Sequence, residues 1–159
     1  MTSILKVSEI QDPTNSNTAL SIDSAGKVNS TGHVIQVVQH VQTGGSVTIN
    51  TTTYTSFVSG SITVSAGSSV WIICTFDSNG GGDGSWHRFR IHRDGTAVGE
   101  TVTQVYSGSS HNDAVSIQHL DTGLSAGSYT YSVRGQQGSG STTISDGGKP
   151  VMMLVEVGG

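Results

Sequence analysis

The sequence predicts an all-β protein, a β-sandwich or barrel, and three observations predict it. First, 66 of 159 residues are Ser, Thr or Gly, only 11% are charged, and Pro occurs twice. Low charge with many β-branched residues argues against a disordered chain. Thr, Val and Ile suit a pleated sheet, whereas Gly, Ser, Asn and Asp are turn residues. Second, short apolar runs recur from Tyr54 onward, separated by turn signals at about the 8–12-residue spacing of a sandwich or barrel. Third, the run SWHRFRIHRDGTAVGE (Ser85–Glu100) alternates in polarity with a period of two and contains Asp94-Gly95, a strong signal for a two-residue hairpin turn.

The elements follow in order. In SILKVSEIQ, Ile4 and Lys6 point one way and Leu5 and Val7 the other; Asp12-Pro13 ends the run in a polar loop. ALSID is a short strand, SAG a turn, and Lys27-Val28 resumes. These pieces are too short to form a core alone, since an isolated hairpin is marginal in water. Residues 1–32 are therefore expected to be an arm lying on another surface, with the sandwich domain spanning 33–159. HVIQVVQHVQ fits a helical stripe through Val34, Val37, Val38 and Val41. Its β-branching and flanking glycines favour a strand. Strands are then predicted in TYTSFVSGSITV, SSVWIICTF, WHRFRIHRD, TAVGETVTQVYS, DAVSIQHL, SYTYSVRG, TTIS and PVMMLVEV. The tetrapeptide SAGS precedes two of them, at Ser65–Ser68 and Ser125–Ser128. SNGGGDGS (78–85) and QQGSGS (136–141) are expected to be long, flexible surface tips.

Several function classes are disfavoured. The net charge is −4, which opposes a nucleic-acid-binding surface, because such a surface must be basic to displace counterions. The single Cys74 cannot form an intrachain disulfide and is expected to be a buried small hydrophobe. No basic segment followed by an apolar run opens the sequence, so no signal peptide is expected. No apolar run is long enough to predict a membrane span.

Strand parity separates the candidate site residues. Trp86, Arg88, Arg90 and His92 share one face; His87, Phe89, Ile91 and Arg93 share the other, which Phe89 and Ile91 mark as the core side. Arg88 and Arg90 stand about 7 Å apart on the outer face, an interface or anion-binding strip, or else a solvated face. His111, Asp113 and His119 offer a metal-ligand set without tight spacing, so no metal or cofactor is expected. Asp121-Thr122-Gly123 matches the aspartic-protease triplet, but such enzymes need two carboxylates sharing a proton, and this chain has one copy. SNGGGDGS lacks the Gly-Lys-Ser/Thr ending of a phosphate-binding loop and precedes a strand. With no nucleophile beside an oriented base, no enzymatic activity is expected.

Three strings together carry a family resemblance. ILKVSEIQ…ALSIDSAGKV resembles the opening of virion proteins of tailed phages, cyanophages especially. GHVIQVVQHVQT…TTTYTSFV resembles the start of their β domain. RFRIHRDGTAVGE, LDTGLSAGSYTYSVRG and VMMLVEVGG resemble its middle and end. The resemblance implies a jelly-roll-like sandwich, similar to complement and tumour-necrosis-factor modules, that is trimeric and structural. The short chain, without heptads or a long β-helical shaft, favours a capsid decoration (cement) protein on the major capsid shell, assembled in the host cytoplasm, although the N-terminal resemblance is often to proteins described as fibres. The competing role is a short tail fibre or tail adaptor contacting host glycans. Attachment is expected through Ile4, Leu5, Val7 and Ile10. A carbohydrate-binding jelly roll is a third expectation, with Trp86, His87 and Tyr106 near loop tips as candidate glycan contacts. Partners are thus the chain itself and other virion proteins, with neither nucleic acid nor membrane.

Overall fold

The computed structural model describes residues 9–11, 18–22, 24, 28–29, 32–105, 111–144 and 148–159. Ile4, Leu5, Val7 and Tyr106 lie outside the described residues. All regular structure among the described residues is β, and no helix is long and apolar enough to cross a membrane.

The N-terminal strands β1 (Glu9–Gln11), β2 (Thr18–Ile22) and β3 (Val28–Asn29) form a separate antiparallel sheet in that order. Ile10 lies in β1, opposite Leu20. The main body contains β4 (Val34–Val41), β5 (Val47–Ile49), β6 (Thr55–Val64), β7 (Ser69–Arg93), β8 (Thr96–Ala97), β9 (Val102–Val105), β10 (His111–Asp121), β11 (Gly127–Ile144) and β12 (Val151–Val157).

The pairing is nested. β4 pairs β12, β6 pairs the first half of β11, the first half of β7 pairs β10, and its second half pairs β9. Cross-links between these hairpins produce two layers. One runs β4–β12–β7(first half)–β10; the other runs β6–β11(first half)–β7(second half)–β9, with β8 continuing its edge. Four nested antiparallel pairs folded into two sheets make a jelly-roll sandwich, the fold that the resemblance implied.

Alternation builds the core. Val70, Ile72, Cys74 and Phe76 from β7 point inward, and so do Met152 and Leu154 from β12. Phe89, Ile91, Tyr131 and Val133 close from the opposite sheet, all 0% exposed. Phe57, Phe76 and Phe89 form an edge-to-face cluster with centroids 4.8–6.1 Å apart, the arrangement the ring quadrupoles favour. Cys74 is buried as expected, and burial pushes its thiol up to about 12. Asp94 and Gly95 adopt φ of 47° and 86°, the left-handed pair of a two-residue hairpin turn joining β7 to β8.

Two expectations are corrected. The segments 78–85 and 136–141 are strand, not surface tips, so β7 and β11 each run on where two strands and a loop were expected. The two glycine-rich stretches pair with each other: Gly80 faces Thr142 and Gly81 faces Ser141, while Trp86 faces Ser139. Residues 82–85 therefore bulge opposite Gly140 alone. Such bulges turn a strand from one sheet into the other. Side-chain-free positions permit the bend, and a hydrogen bond of 3.0 Å between Ser78 and Thr142 secures it. The second correction is that TAVGETVTQVYS is not one strand. The N–H groups of Val98 and Gly99 both donate to the Ile91 carbonyl, at 3.0 and 3.3 Å, which takes residues 98–101 out of the ladder between β8 and β9.

Candidate functional site

The parity of the Ser85–Glu100 stretch holds on β7. Arg88 is exposed and Arg90 half-buried on the outer face, while His87, Phe89 and Ile91 are 0% exposed inside. His87 therefore cannot touch a glycan: the segment before it bends as strand and carries it into the interior. Burial lowers its pKa below the usual 6.5, since a charged imidazolium is disfavoured away from water. His92 is on the outer side yet only 8% exposed, because the Tyr54 ring packs on it at 5.7 Å.

Trp86 is half-buried. A Cβ on Gly138 would sit 2.0 Å from its ring, so the indole lies directly on the Gly138 backbone. The Arg88 guanidinium stacks 4.5 Å from the ring centroid. The indole is thus braced by Gly138 and Arg88 while staying partly exposed. Arg90 approaches the Tyr54 ring at 5.1 Å and donates from Nε to Thr101 Oγ1 at 2.7 Å. Two neighbours escaped the sequence reading. Arg134 on β11 pairs directly with Arg90 in register, and Tyr54 comes from the segment before β6. Neither is near this stretch in sequence, so only long-range pairing reveals them.

The catalytic-looking motifs have structural employment. Asp121 is 8% exposed and takes two hydrogen bonds from Arg93 Nη1, at 2.9 and 2.8 Å, and one from the Tyr131 hydroxyl at 2.8 Å. Burial, then the hydrogen bond to Asp121, raises the Tyr131 pKa. This triad joins β10 of one layer to β7 and β11 of the other. His111, Asp113 and His119 lie along one strand, and Asp113 and His119 are six residues apart, about 20 Å in extended chain. Asp113 and His119 do not converge, and no group of three or more metal-type ligands occurs among the described residues. A second buried carboxylate, Glu156 (0% exposed), accepts from Gln36 Nε2 at 2.5 Å, the Ser65 N–H at 2.8 Å and Ser68 Oγ at 2.9 Å. It ties β4, the β6–β7 turn and β12 together.

The largest unassigned feature is the outer face of the β4–β12–β7–β10 layer. One cross-strand row reads Leu120–Trp71–Val155–Val37; the next reads Gln118–Ile73–Met153–Gln39; a third reads Ser116–Thr75–Val151–Val41. Leu120 is 52%, Trp71 42%, Val37 56% and Val41 45% exposed. None of these twelve positions is charged. A concavity of about 310 Å³ beside Trp71 is lined by Ser69, Leu120 and Val157. The sequence carried the signal: VWIIC and VMMLVEV are apolar at both parities, the mark of strands covered on both faces.

No protein-family model matches the chain, and no curated protein matches it. Among solved structures, a chain of infectious bursal disease virus, Gt strain, aligns over 97% of this chain and 42% of its own length, at 13% identity and a TM-score of 0.42. The Gx strain gives 14% identity, the same coverage and the same TM-score. An exo-β-1,3-galactanase from Phanerochaete chrysosporium aligns over 86% of this chain and 32% of its own, at 13% identity and a TM-score of 0.27. The chain thus spans less than half the length of each of these structures, and such distant likenesses do not assign a function.

Proposed function

We propose that this chain is a non-enzymatic structural protein of a phage virion, a decoration protein that trimerises and attaches to the capsid shell through residues 1–32. The observation that carries the assembly reading is the uncharged outer face around Trp71. Four strands about 4.8 Å apart and five residues at about 3.3 Å each give roughly 300 Å² of sheet. That is the size of the largest patch on a typical monomer, which is often a functional surface. In a threefold ring each contact joins two different surfaces, so this face would pack against another surface of the neighbour. The edge strand β4, with Val34, Val37 and Val41 exposed, borders it. The virion reading is supported by the ordered resemblance along the chain. The non-enzymatic reading is supported by Asp121, whose carboxylate is held by Arg93 and Tyr131.

A tail-fibre role is the second reading, and the arginine strip on the opposite layer favours it. Two measurements separate and test them. Copy number in purified virions of the source phage should reach hundreds for a shell protein and a few dozen or fewer for a tail protein. Deleting residues 1–30 should leave a folded oligomer that no longer binds particles. Absence of the chain from virions, or full binding by the truncated form, contradicts the proposal.

A further inference from the structure

The chain is acidic overall, yet three of its seven Lys/Arg residues, Arg88, Arg90 and Arg134, share the outer face of one layer. Arg90 and Arg134 are direct cross-strand partners. Like charges placed so are destabilising, and among the described residues no carboxylate forms an ion pair with any of the three. Each guanidinium is nevertheless held in place. Arg88 stacks on Trp86, Arg90 is fixed by Tyr54 and by its Nε bond to Thr101, and Arg134 Nε donates to Ser132 Oγ at 3.1 Å. Anchoring at Nε leaves the terminal nitrogens of Arg90 and Arg134 as a forked donor edge, the geometry that takes carboxylate or sulfate oxygens in pairs.

We propose that Arg88, Arg90 and Arg134 form a binding site for an acidic polysaccharide, with its carboxylate or sulfate groups held between the fixed guanidinium ends. The surroundings fit a sugar better than a peptide. β7 and β11 pair with each other through this stretch, with β9 beside β7 at Arg88 and β6 beside β11 at Arg134, so little strand edge is offered to an added backbone. The cross-strand neighbours are hydrogen-bonding side chains, Ser56, Thr103 and Gln136, suited to sugar hydroxyls. An anion at the strip also relieves the repulsion between Arg90 and Arg134. This inference stands whichever virion position the chain occupies.

The test is binding of the full chain to immobilised polygalacturonate (carboxylate) and heparin (sulfate), with dextran as the neutral reference and poly-glutamate as the acidic peptide. The chain should bind at least one acidic polysaccharide, in a salt-sensitive manner, and bind dextran and poly-glutamate more weakly. Arg90→Gln with Arg134→Gln should weaken binding about tenfold or more, and Arg88→Gln should weaken it to a smaller degree. Lys149→Gln, an exposed cation on another segment, should leave it unchanged. Arg134→Gln should melt at or above the wild-type temperature, because a repulsive pair has been removed. Failure to bind either acidic polysaccharide, tighter binding to poly-glutamate, or an equal loss in Lys149→Gln overturns the proposal.

Discussion

Asp121 shows how a residue's employment can be read only from its partners. Its sequence context, Leu-Asp-Thr-Gly, suggests an aspartic-protease carboxylate. In the fold it is a buried clamp whose oxygens are occupied by Arg93 and Tyr131. Asp121→Ala strips the Tyr131 hydroxyl of its acceptor and Arg93 of its counter-charge. The cost should be about 2–3 kcal/mol, held below the figure for a fully buried pair because the Arg93 side chain is 33% exposed. Asp121→Asn keeps an acceptor and should cost about 1 kcal/mol. Urea unfolding of both variants checks the order. Equal stability of wild type and Asp121→Ala would show that the clamp contributes nothing. Parity in the Ser85–Glu100 stretch was legible to the residue: Phe89 and Ile91 in, Arg88 and Arg90 out. The depth of His87 was not, because its loop-tip placement depended on reading the preceding glycines as a loop.

At the scale of elements, glycine-rich runs misled the reading for a physical reason. Gly80–Gly82 and Gly138–Gly140 resemble turns one at a time, since each lacks a side chain to pack. Where the two runs meet across the β7–β11 ladder, with Gly81 facing Ser141 and residues 82–85 bulging opposite Gly140, they let β7 and β11 bend together from one layer into the other. Composition alone does not separate a loop from a strand corner; the partner does. Gly138 is the sharpest case, because the Trp86 ring occupies the space of a Cβ. Gly138→Ala should destabilise the protein by about 1–3 kcal/mol by displacing the indole. In a Trp86→Ala background the same substitution should cost within about 0.5 kcal/mol of nothing, a coupling that a double-mutant cycle reads directly. A cost that persists without the indole contradicts the packing described. By contrast the Asp94-Gly95 hairpin and the β4, β6 and β12 strands were legible, because each is set by local turn chemistry or by a short run rich in apolar and β-branched residues between turn signals.

At the scale of the whole molecule, the two outer faces differ in kind. One carries arginines and hydroxyls, the other an uncharged patch of Leu120, Trp71, Ile73, Met153 and valines. The sandwich core lies between them and explains neither. An all-β sandwich was legible from composition and spacing, and its jelly-roll order from the resemblance. The apolar face was not foreseen, although VWIIC and VMMLVEV are apolar on both parities. Uncharged strands, like charged ones, ask for a partner: runs apolar on both parities are those covered on both faces. Leaving Trp71 and Leu120 in water forfeits apolar burial worth about 25 cal/mol per Å², which the proposed packing of a second copy on this face would recover. The central claim is therefore self-association through this face, and sedimentation equilibrium of the full chain tests it most directly. The wild type should sediment at three times the chain mass, and Trp71→Asp with Leu120→Asp should sediment as a monomer with an unchanged β-sheet circular dichroism spectrum. A monomeric wild type, or a double variant that stays trimeric, contradicts the account.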